Sequence, residues 1–285
     1  MRNWVIAAGV GLSALAAVGP GPTARAASDD IDAGTTALTK IVDHARRDED
    51  RVRDEFRHPA ETLAFFGFSP DMTVIEWGPG GGWYTRILAP ALIENGRYIG
   101  ANWSGEAYFA GNPDRIARRN QWPEQFKSAV ETQILEGAGD VDAVLGLAAE
   151  TQFEPGAADM VLAFRGLHGL AQRDKLDAAI AEAFAALKPG GVFGVVQHRA
   201  PESTTLATDG TRGYLKQSDV IARFEAAGFE LAGTSEINAN PKDPASWARG
   251  VWTLPPTLAF GDPDGAFSAL GESDRMTLKF VKPSA

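Results

Sequence analysis

The chain of 285 residues contains no cysteine. This absence excludes disulfide bonds, thiolate nucleophiles and cysteine-ligated metal sites. Basic residues are also scarce relative to acidic ones, 27 against 37, which gives a formal net charge of −10. Because nucleic-acid binding depends on neutralising phosphates, this charge disfavours DNA or RNA as a partner. The four histidines are not spaced as metal ligands, so we predict no metal site.

Long apolar runs are missing as well. The uncharged stretch at residues 4–18 is too short for a comfortable membrane span. It follows a short basic start, two prolines come after it, and Ala24-Arg25-Ala26 has the small-x-small form of a cleavage site. The pattern predicts a secretory signal peptide over residues 1–26, a periplasmic or secreted mature protein, and no stable membrane insertion after cleavage. An uncleaved N-terminal anchor is the alternative.

Three glycines at alternate positions form the most informative motif that is present. A short apolar run ends at Glu76, and Gly78, Gly80 and Gly82 follow before a helix-like segment begins at Trp83. This order predicts a strand, a tight turn and a helix N-terminus, the unit with which α/β folds hold a nucleotide-like ligand. A glycine-rich turn without a ligand is the alternative.

The spacing of these glycines separates two classes of cofactor. A dinucleotide fingerprint, Gly-x-Gly-x-x-Gly/Ala, would place Trp83 or Thr85 where helix and strand must approach closely. This disfavours a nicotinamide-dependent oxidoreductase. The pattern acid-x-Gly-x-Gly-x-Gly instead resembles motif I of the class I S-adenosylmethionine (SAM) dependent methyltransferases.

Strand-like and helix-like segments alternate along the chain. The predicted strands cover residues 72–77, 97–102, 132–135, 159–164, 192–198, 229–236 and 276–281. A helix is predicted over residues 38–56, with Leu38, Ile41, Val42, Val52 and Phe56 as its inward positions. This alternation favours an open, mostly parallel sheet covered on both faces.

The order of landmarks over residues 60–236 is similar to the class I methyltransferase fold. More narrowly, the chain resembles a bacterial group of exported predicted methyltransferases. The segments that carry this resemblance are 53–59, 79–84, 164–168, 197–200 and 271–280. The resemblance implies an α/β fold with a Rossmann-like seven-stranded methyltransferase sheet, mostly parallel with helices on both faces, and an N-terminal helical lid.

The same resemblance implies a domain plan, a cofactor and a substrate class. It divides the chain into the signal peptide, an N-terminal helical extension over 27–66, and a methyltransferase-like domain over 67–285 with a Pro-rich insertion near 240–274. SAM is the implied cofactor and a small molecule the implied acceptor. The oligomeric state stays open.

The resemblance also points to cofactor-binding residues. These are Glu76, Gly78, Gly80, Gly82, Tyr84, Asn102 and Glu150. Two positions depart from the usual pattern. Asn102 stands where an acid commonly accepts hydrogen bonds from both ribose hydroxyls, and an amide can accept one and donate one. Glu150 is the nearest candidate for the acid beside the adenine amine.

Two residues that follow the fourth predicted strand are the candidates for chemistry. We predict His168 as a base or an orienting group and Arg165 as an anion clamp. The alternative is that His168 only shapes the pocket. His198 is a second-choice base, and a buried, hydrogen-bonded histidine is the favoured interpretation. Trp77 is expected in the core.

Two further groups of charged residues have a structural interpretation. Asp54, Arg57 and His58 are expected on an exposed salt-bridge face, and a lid over the pocket is the alternative. Glu272, Asp274 and Arg275 are expected in an ion-pair network, and substrate contact is the alternative. The leading hypothesis for the whole chain is a SAM-dependent methyltransferase. The alternative is an exported ligand-binding protein on the same fold without methyl transfer, which Asn102 favours.

Overall fold

The computed structural model describes residues 38–109, 111–148 and 152–284. The predicted signal peptide and Glu150 lie outside these described residues, so the two predictions stay untested. Within the described ranges, no helix is long and apolar enough to cross a membrane.

The strands form one sheet. In chain order they are β1 (Thr73–Trp77), β2 (Arg97–Trp103), β3 (Asp142–Gly146), β4 (Ala158–Phe164), β5 (Leu187–Ala200), β6 (Leu215–Lys216), β7 (Glu230–Ser235) and β8 (Arg275–Val281). Their order across the sheet is β3-β2-β1-β4-β5-β8-β7, and the short β6 pairs with β5 off this path. Only β8 runs antiparallel to its neighbours on that path. The predicted α/β class and mostly parallel sheet are confirmed.

Helices cover both faces of the sheet. They are α1 (Asp54–Arg57), α2 (Pro59–Phe66), α3 (Thr85–Leu92), α4 (Gly105–Tyr108), α5 (Pro113–Asn120), α6 (Trp122–Ala129), α7 (Leu167–Ala171), α8 (Leu176–Ala186) and α9 (Gln217–Ala226). Short 3₁₀ turns lie at Ala45–Arg47, Arg51–Arg53, Gly250–Thr253, Pro263–Gly265 and Ser268–Leu270.

Alternation of side chains along the strands creates two apolar cores. On one face, Ile75 and Trp77 of β1 pack in a cluster with buried residues of α7, α8 and α9. On the other face, Val74 packs in a cluster with buried residues of α2 and α3. Trp77 is therefore a core residue, as predicted. Because β1 lies between β2 and β4, its carboxyl end opens at the centre of the sheet edge.

The predicted strand at residues 132–135 is wrong. A π-helix occupies Val130–Ile134, and the third strand is β3. The amide of Leu135 donates to the carbonyl of Val130 at 2.9 Å, and both side chains are buried. A run of only four residues, two polar and then two apolar, cannot distinguish these two structures, because short runs fit both periods.

The helix predicted over residues 38–56 is not continuous, although residues 38–42 and 54–56 are helical. The chain there breaks into the 3₁₀ turns Ala45–Arg47 and Arg51–Arg53 before α1. Leu38 and Val42 are buried as expected, but Val52 is 69% exposed. Contacts made by Asp50 explain the break. Its carboxylate pairs with Arg86, and its carbonyl accepts from the indole of Trp83 at 3.3 Å. These tertiary contacts override the helical pattern.

Candidate active site

The turn after β1 requires glycine at its alternate positions. Gly78, Gly80 and Gly82 have φ of 64°, 59° and 76°, in the left-handed region that side chains disfavour. The amide of Gly78 donates to the carbonyl of Ala101 at 2.8 Å, which ties the turn to β2. A Cβ at Gly78 would meet nothing within 4 Å, and one at Gly80 only a carbonyl at 3.9 Å. The turn thus leaves open space beside its backbone, where a ligand can approach.

Glu76, directly before this turn, is buried. Its Oε2 atom accepts hydrogen bonds from the hydroxyls of Tyr98 at 2.6 Å and Thr85 at 2.7 Å. Burial raises the pKa of the Glu76 carboxyl to about 7, against the lowering effect of these two hydrogen bonds. The side chain joins β1, β2 and α3 beneath the turn.

Replacing Glu76 by glutamine should change how stability depends on pH. The pKa of this carboxyl is 4.5 in the unfolded chain and about 7 in the folded protein. Below pH 4.5 the group is protonated in both states and does not affect the free energy of unfolding. Between pH 4.5 and about pH 7 it lowers that free energy progressively, because only the unfolded chain releases the proton readily. As the pH rises from 4.5 to 8, we expect the free energy of unfolding of Glu76→Gln to increase by about 2–3 kcal/mol relative to that of the wild type. Urea denaturation at both pH values measures this difference. The exposed Glu94→Gln serves as control, and a difference for Glu76→Gln that is independent of pH would contradict the assignment.

The aromatic residues after the turn are buried. The ring of Tyr84 stacks on Phe164 at 3.4 Å between centroids, and burial raises the pKa of its hydroxyl. Trp83 lies between the guanidinium groups of Arg47 and Arg57, at 4.8 and 4.6 Å from its ring. Direct contact of Tyr84 with SAM stays a prediction, while its placement shows that it joins the glycine turn to the end of β4.

Asn102 lies near the end of β2, as predicted, but its oxygen is already occupied. Oδ1 accepts from the amide of Trp103 at 2.9 Å and from Nη2 of Arg119. Both partners are donors, which fixes the amide oxygen on their side. A ribose at this position would therefore find only the Nδ2 hydrogens of Asn102, unless Arg119 moves.

Arg165 and His168 lie together at the carboxyl end of β4. Arg165 has a φ of 58°, a strained conformation for a residue with a side chain. Burial, followed by the nearby charge of Arg275, lowers the pKa of its guanidinium to about 10. His168 begins the first turn of α7, with its ring 5.7 Å from His198 and 5.8 Å from Trp252. The structure thus brings the two predicted catalytic residues to one place.

His168 is uncharged at neutral pH, because burial lowers its pKa to about 4. Its Nδ1 atom and Oε1 of Gln197 are both buried without a hydrogen-bond partner among the described residues, and Gln197 acts to raise the pKa of this histidine. A proton on Nδ1 directed at Gln197 would leave Nε2 as an acceptor. That tautomer suits a base or an orienting group.

His198 is held in the way that the sequence favours. Its Nδ1 lies 2.5 Å from the hydroxyl of Ser273. Burial, with the nearby His168 and two arginines, keeps its pKa well below the usual range. His198 therefore lines the site as a neutral, hydrogen-bonded side chain.

A cavity of about 210 Å³ adjoins these residues, and we call it the arginine pocket. Its charged lining consists of Arg53, Arg57, Arg165, Arg275 and Glu272. Its remaining lining includes His168, His198, Val251, Trp252, Pro255, Pro256, Thr257 and Ser273. The lining comes from five separate parts of the chain, which meet at the carboxyl edge of the sheet.

The ion-pair network predicted around Glu272 is confirmed. Glu272 binds Arg53 at 2.6 Å, Arg57 at 3.1 Å and Arg275. Asp274 pairs with Arg199 at 2.8 Å.

The expectation of an exposed face for Arg57 is wrong. Its side chain is 3% exposed, because it reaches Glu272, a partner 215 positions away. Sequence analysis likewise missed Arg53 and Trp252 as lining residues of the arginine pocket. The neighbouring charges of Arg57 suggested solvent, and no local signal could have revealed the distant partner.

Comparison with known proteins adds to this geometry. Residues 75–195 match the family model of a methyltransferase domain. No curated protein matches the sequence. A SAM dependent methyltransferase from Aquifex aeolicus has a similar structure, with 14% identity, a TM-score of 0.51, and coverage of 87% of this chain and 98% of that one. A putative methyltransferase from Bacillus halodurans is also similar, with 17% identity, a TM-score of 0.48, and coverage of 80% of this chain and 99% of that one.

At these identities structural likeness supports the fold alone, whereas the family model matches the sequence from β1 into β5. The matched range contains the glycine turn, Asn102, Arg165 and His168. Residues 75–195 thus form a methyltransferase domain on a Rossmann-like methyltransferase fold, and the chain is an enzyme with SAM as its cofactor.

Proposed function

We propose that the protein transfers the methyl group of SAM to a small-molecule acceptor bound at the carboxyl end of β4. Arg165 holds an anionic group of the acceptor, and His168 orients or deprotonates the acceptor atom. The observation that carries the proposal is the proximity of two features. The open glycine turn after β1 and the Arg165–His168 pair after β4 are joined by the Tyr84–Phe164 stack.

The residues after β1 and β2 fit SAM in part. The open space beside Gly78 and Gly80 is a cradle that a Cβ would begin to fill. Glu76, Gly82, Tyr84 and Glu150 stay predicted contacts, and Asn102 offers a donor to the ribose. When bound, SAM supplies an electrophilic methyl group on its own leaving group, so the protein needs chiefly to align the acceptor and exclude water.

His168 and Arg165 then have separate tasks. A neutral His168 can accept a proton from an acceptor hydroxyl or ammonium at Nε2 while Nδ1–H is held toward Gln197. Its low pKa makes it a weak base in the free protein. An anion bound at Arg165 would raise that pKa, because it stabilises the imidazolium form. Acceptor binding would thus strengthen the base where it is needed.

Isotope transfer tests this proposal. Protein starting at Ala27 is incubated with SAM labelled in the methyl group and a small-molecule extract, and label in the acceptor fraction is counted. We expect transfer by the wild type, and a loss of about 10²-fold or more in His168→Gln if the histidine is the base. Calorimetric titration with SAM and S-adenosylhomocysteine accompanies it. Binding weaker than millimolar for both would refute the function.

Export belongs to the same proposal. It is supported by the charge and cleavage pattern of residues 1–26, and by the narrower resemblance to exported predicted methyltransferases. An N-terminus at Ala27 in the protein recovered from cells would support export, whereas an intact Met1 would contradict cleavage.

A further inference from the structure

The arginine pocket carries an unusual excess of positive charge. Four guanidinium groups and one carboxylate line it, which leaves a net charge of +3 with both histidines neutral. The chain as a whole has a net charge of −10. The excess is therefore local, and general composition does not account for it. Burying like charges together is unfavourable without a counter-charge.

Several donors in this pocket lack partners. Nη1 of Arg57 and Nε of Arg275 are buried without a hydrogen bond within the described part of the chain. These two side chains are 3% and 1% exposed. Unpaired buried donors on charged groups are costly, so they indicate a place where a ligand supplies acceptors.

Arg165 is the least engaged of the four arginines that line the pocket. Among the described residues, its guanidinium makes no hydrogen bond or ion pair, and only its backbone amide is bonded, to Val196 at 2.6 Å. Two carboxylates near Arg53 and Arg57 in sequence are engaged elsewhere, Asp50 with Arg86 and Asp54 with Arg47, and Glu55 is exposed. The strained backbone of Arg165 therefore presents a free cation to the cavity.

The walls of the pocket limit what can bind. Val251, Trp252 and two prolines give the lining of the pocket its apolar part. The volume of about 210 Å³ lies below the roughly 300–1,000 Å³ of pockets for drug-sized ligands. A small molecule with a compact charged group and a short apolar part suits these walls.

We infer that the arginine pocket binds the methyl acceptor as a small organic dianion, a phosphomonoester or a dicarboxylate. Planar guanidinium groups bind the oxygen pairs of both kinds of group in bidentate geometry. The role of acceptor rests on the proposed function, whereas dianion binding does not. His168 at the edge of the same pocket then faces the bound molecule.

Thermal unfolding of the full mature chain without SAM tests the inference. Inorganic phosphate and malonate are added separately at about 10 mM, with sodium chloride at equal ionic strength as reference. We expect at least one dianion to raise Tm by several degrees over chloride, since ligands that bind the folded state stabilise it. The stronger of the two identifies the preferred anionic group.

Two arginine variants sharpen the test. Arg165→Met removes the unpaired cation, so we expect the apparent affinity for the dianion, measured from the rise in Tm, to fall at least tenfold. The ligand-free Tm should stay equal or rise by about 2–4 °C, because a half-buried charge without a partner in the described residues is lost. Arg118→Met, which removes an exposed arginine from α5, should leave the dianion effect unchanged.

The outcomes separate this inference from the proposed function. The inference is overturned, even if SAM binds, when neither dianion stabilises the wild type. It is also overturned when a dianion stabilises Arg165→Met as much as the wild type. Stabilisation by a dianion without any SAM binding overturns the proposed function and leaves the anion site standing. An unfolded Arg165→Met would show that Arg165 serves the fold, and would overturn its assignment as a free cation.

Discussion

Glu272→Gln is expected to lower the free energy of unfolding by about 3–5 kcal/mol, a large part of the roughly 5–15 kcal/mol that stabilises a typical domain. The carboxylate is 2% exposed and is shared by Arg53, Arg57 and Arg275. Glutamine keeps the shape but leaves three guanidinium groups without a counter-charge. Chemical denaturation at pH 7 measures the loss.

Glu236→Gln is the matched control for this variant. Glu236 binds Arg199 through two hydrogen bonds of 2.8 and 2.7 Å, but its side chain is 67% exposed. Water screens such a pair, so we expect a loss of about 1 kcal/mol or less. Equal losses in the two variants would show that burial of the Glu272 network does not determine its contribution.

Gly80→Val is expected to weaken SAM binding by at least 10²-fold while the protein stays folded. The side chain would enter the open space beside the turn, where the cofactor is proposed to approach. It would also hold a branched residue at a φ of 59°, which costs about 1–2 kcal/mol of stability. Calorimetric titration with SAM measures the affinity, and circular dichroism verifies the fold.

Gly156→Val separates these two effects. Gly156 has a φ of 66° and equally open surroundings, but it precedes β4 at the opposite edge of the sheet. We expect a similar loss of stability and unchanged SAM affinity. Wild-type affinity in Gly80→Val would refute the proposed role of the turn, whereas weak binding in both variants would indicate a general effect of strain.

Local patterns were sufficient to predict much of the fold. Buried strands such as β4 show continuous apolar runs bounded by turn residues, and the glycine turn shows its special backbone in its composition. The placement of Arg165 and His168 followed as well, because residues after parallel strands gather at one edge. These features depend on neighbours along the chain, so the sequence contains them.

The errors concern contacts between distant segments. The helical pattern predicts an inward position for Val52, but the contacts of Asp50 with Arg86 and Trp83 interrupt the helix and leave Val52 exposed. Arg57 was assigned to solvent because Glu272 lies far along the chain. Neither could be predicted from spacing, since each depends on tertiary partners.

The ribose position shows the same limit. The departure at Asn102 is visible in the sequence, but its consequence is not. Arg119, 17 positions later in α5, donates a hydrogen bond to the amide oxygen of Asn102. Only a structure therefore reveals that the amide nitrogen of Asn102 is the group left to bind a ribose.

Arg57 touches both halves of the active site. Its guanidinium lies over Trp83, next to the glycine turn, and pairs with Glu272 in the arginine pocket. A ligand that shifts Arg57 at one place would change affinity at the other wherever the position of Arg57 affects binding there. Thermodynamic linkage makes this change reciprocal, so cofactor and acceptor would alter each other's dissociation constants by one common factor.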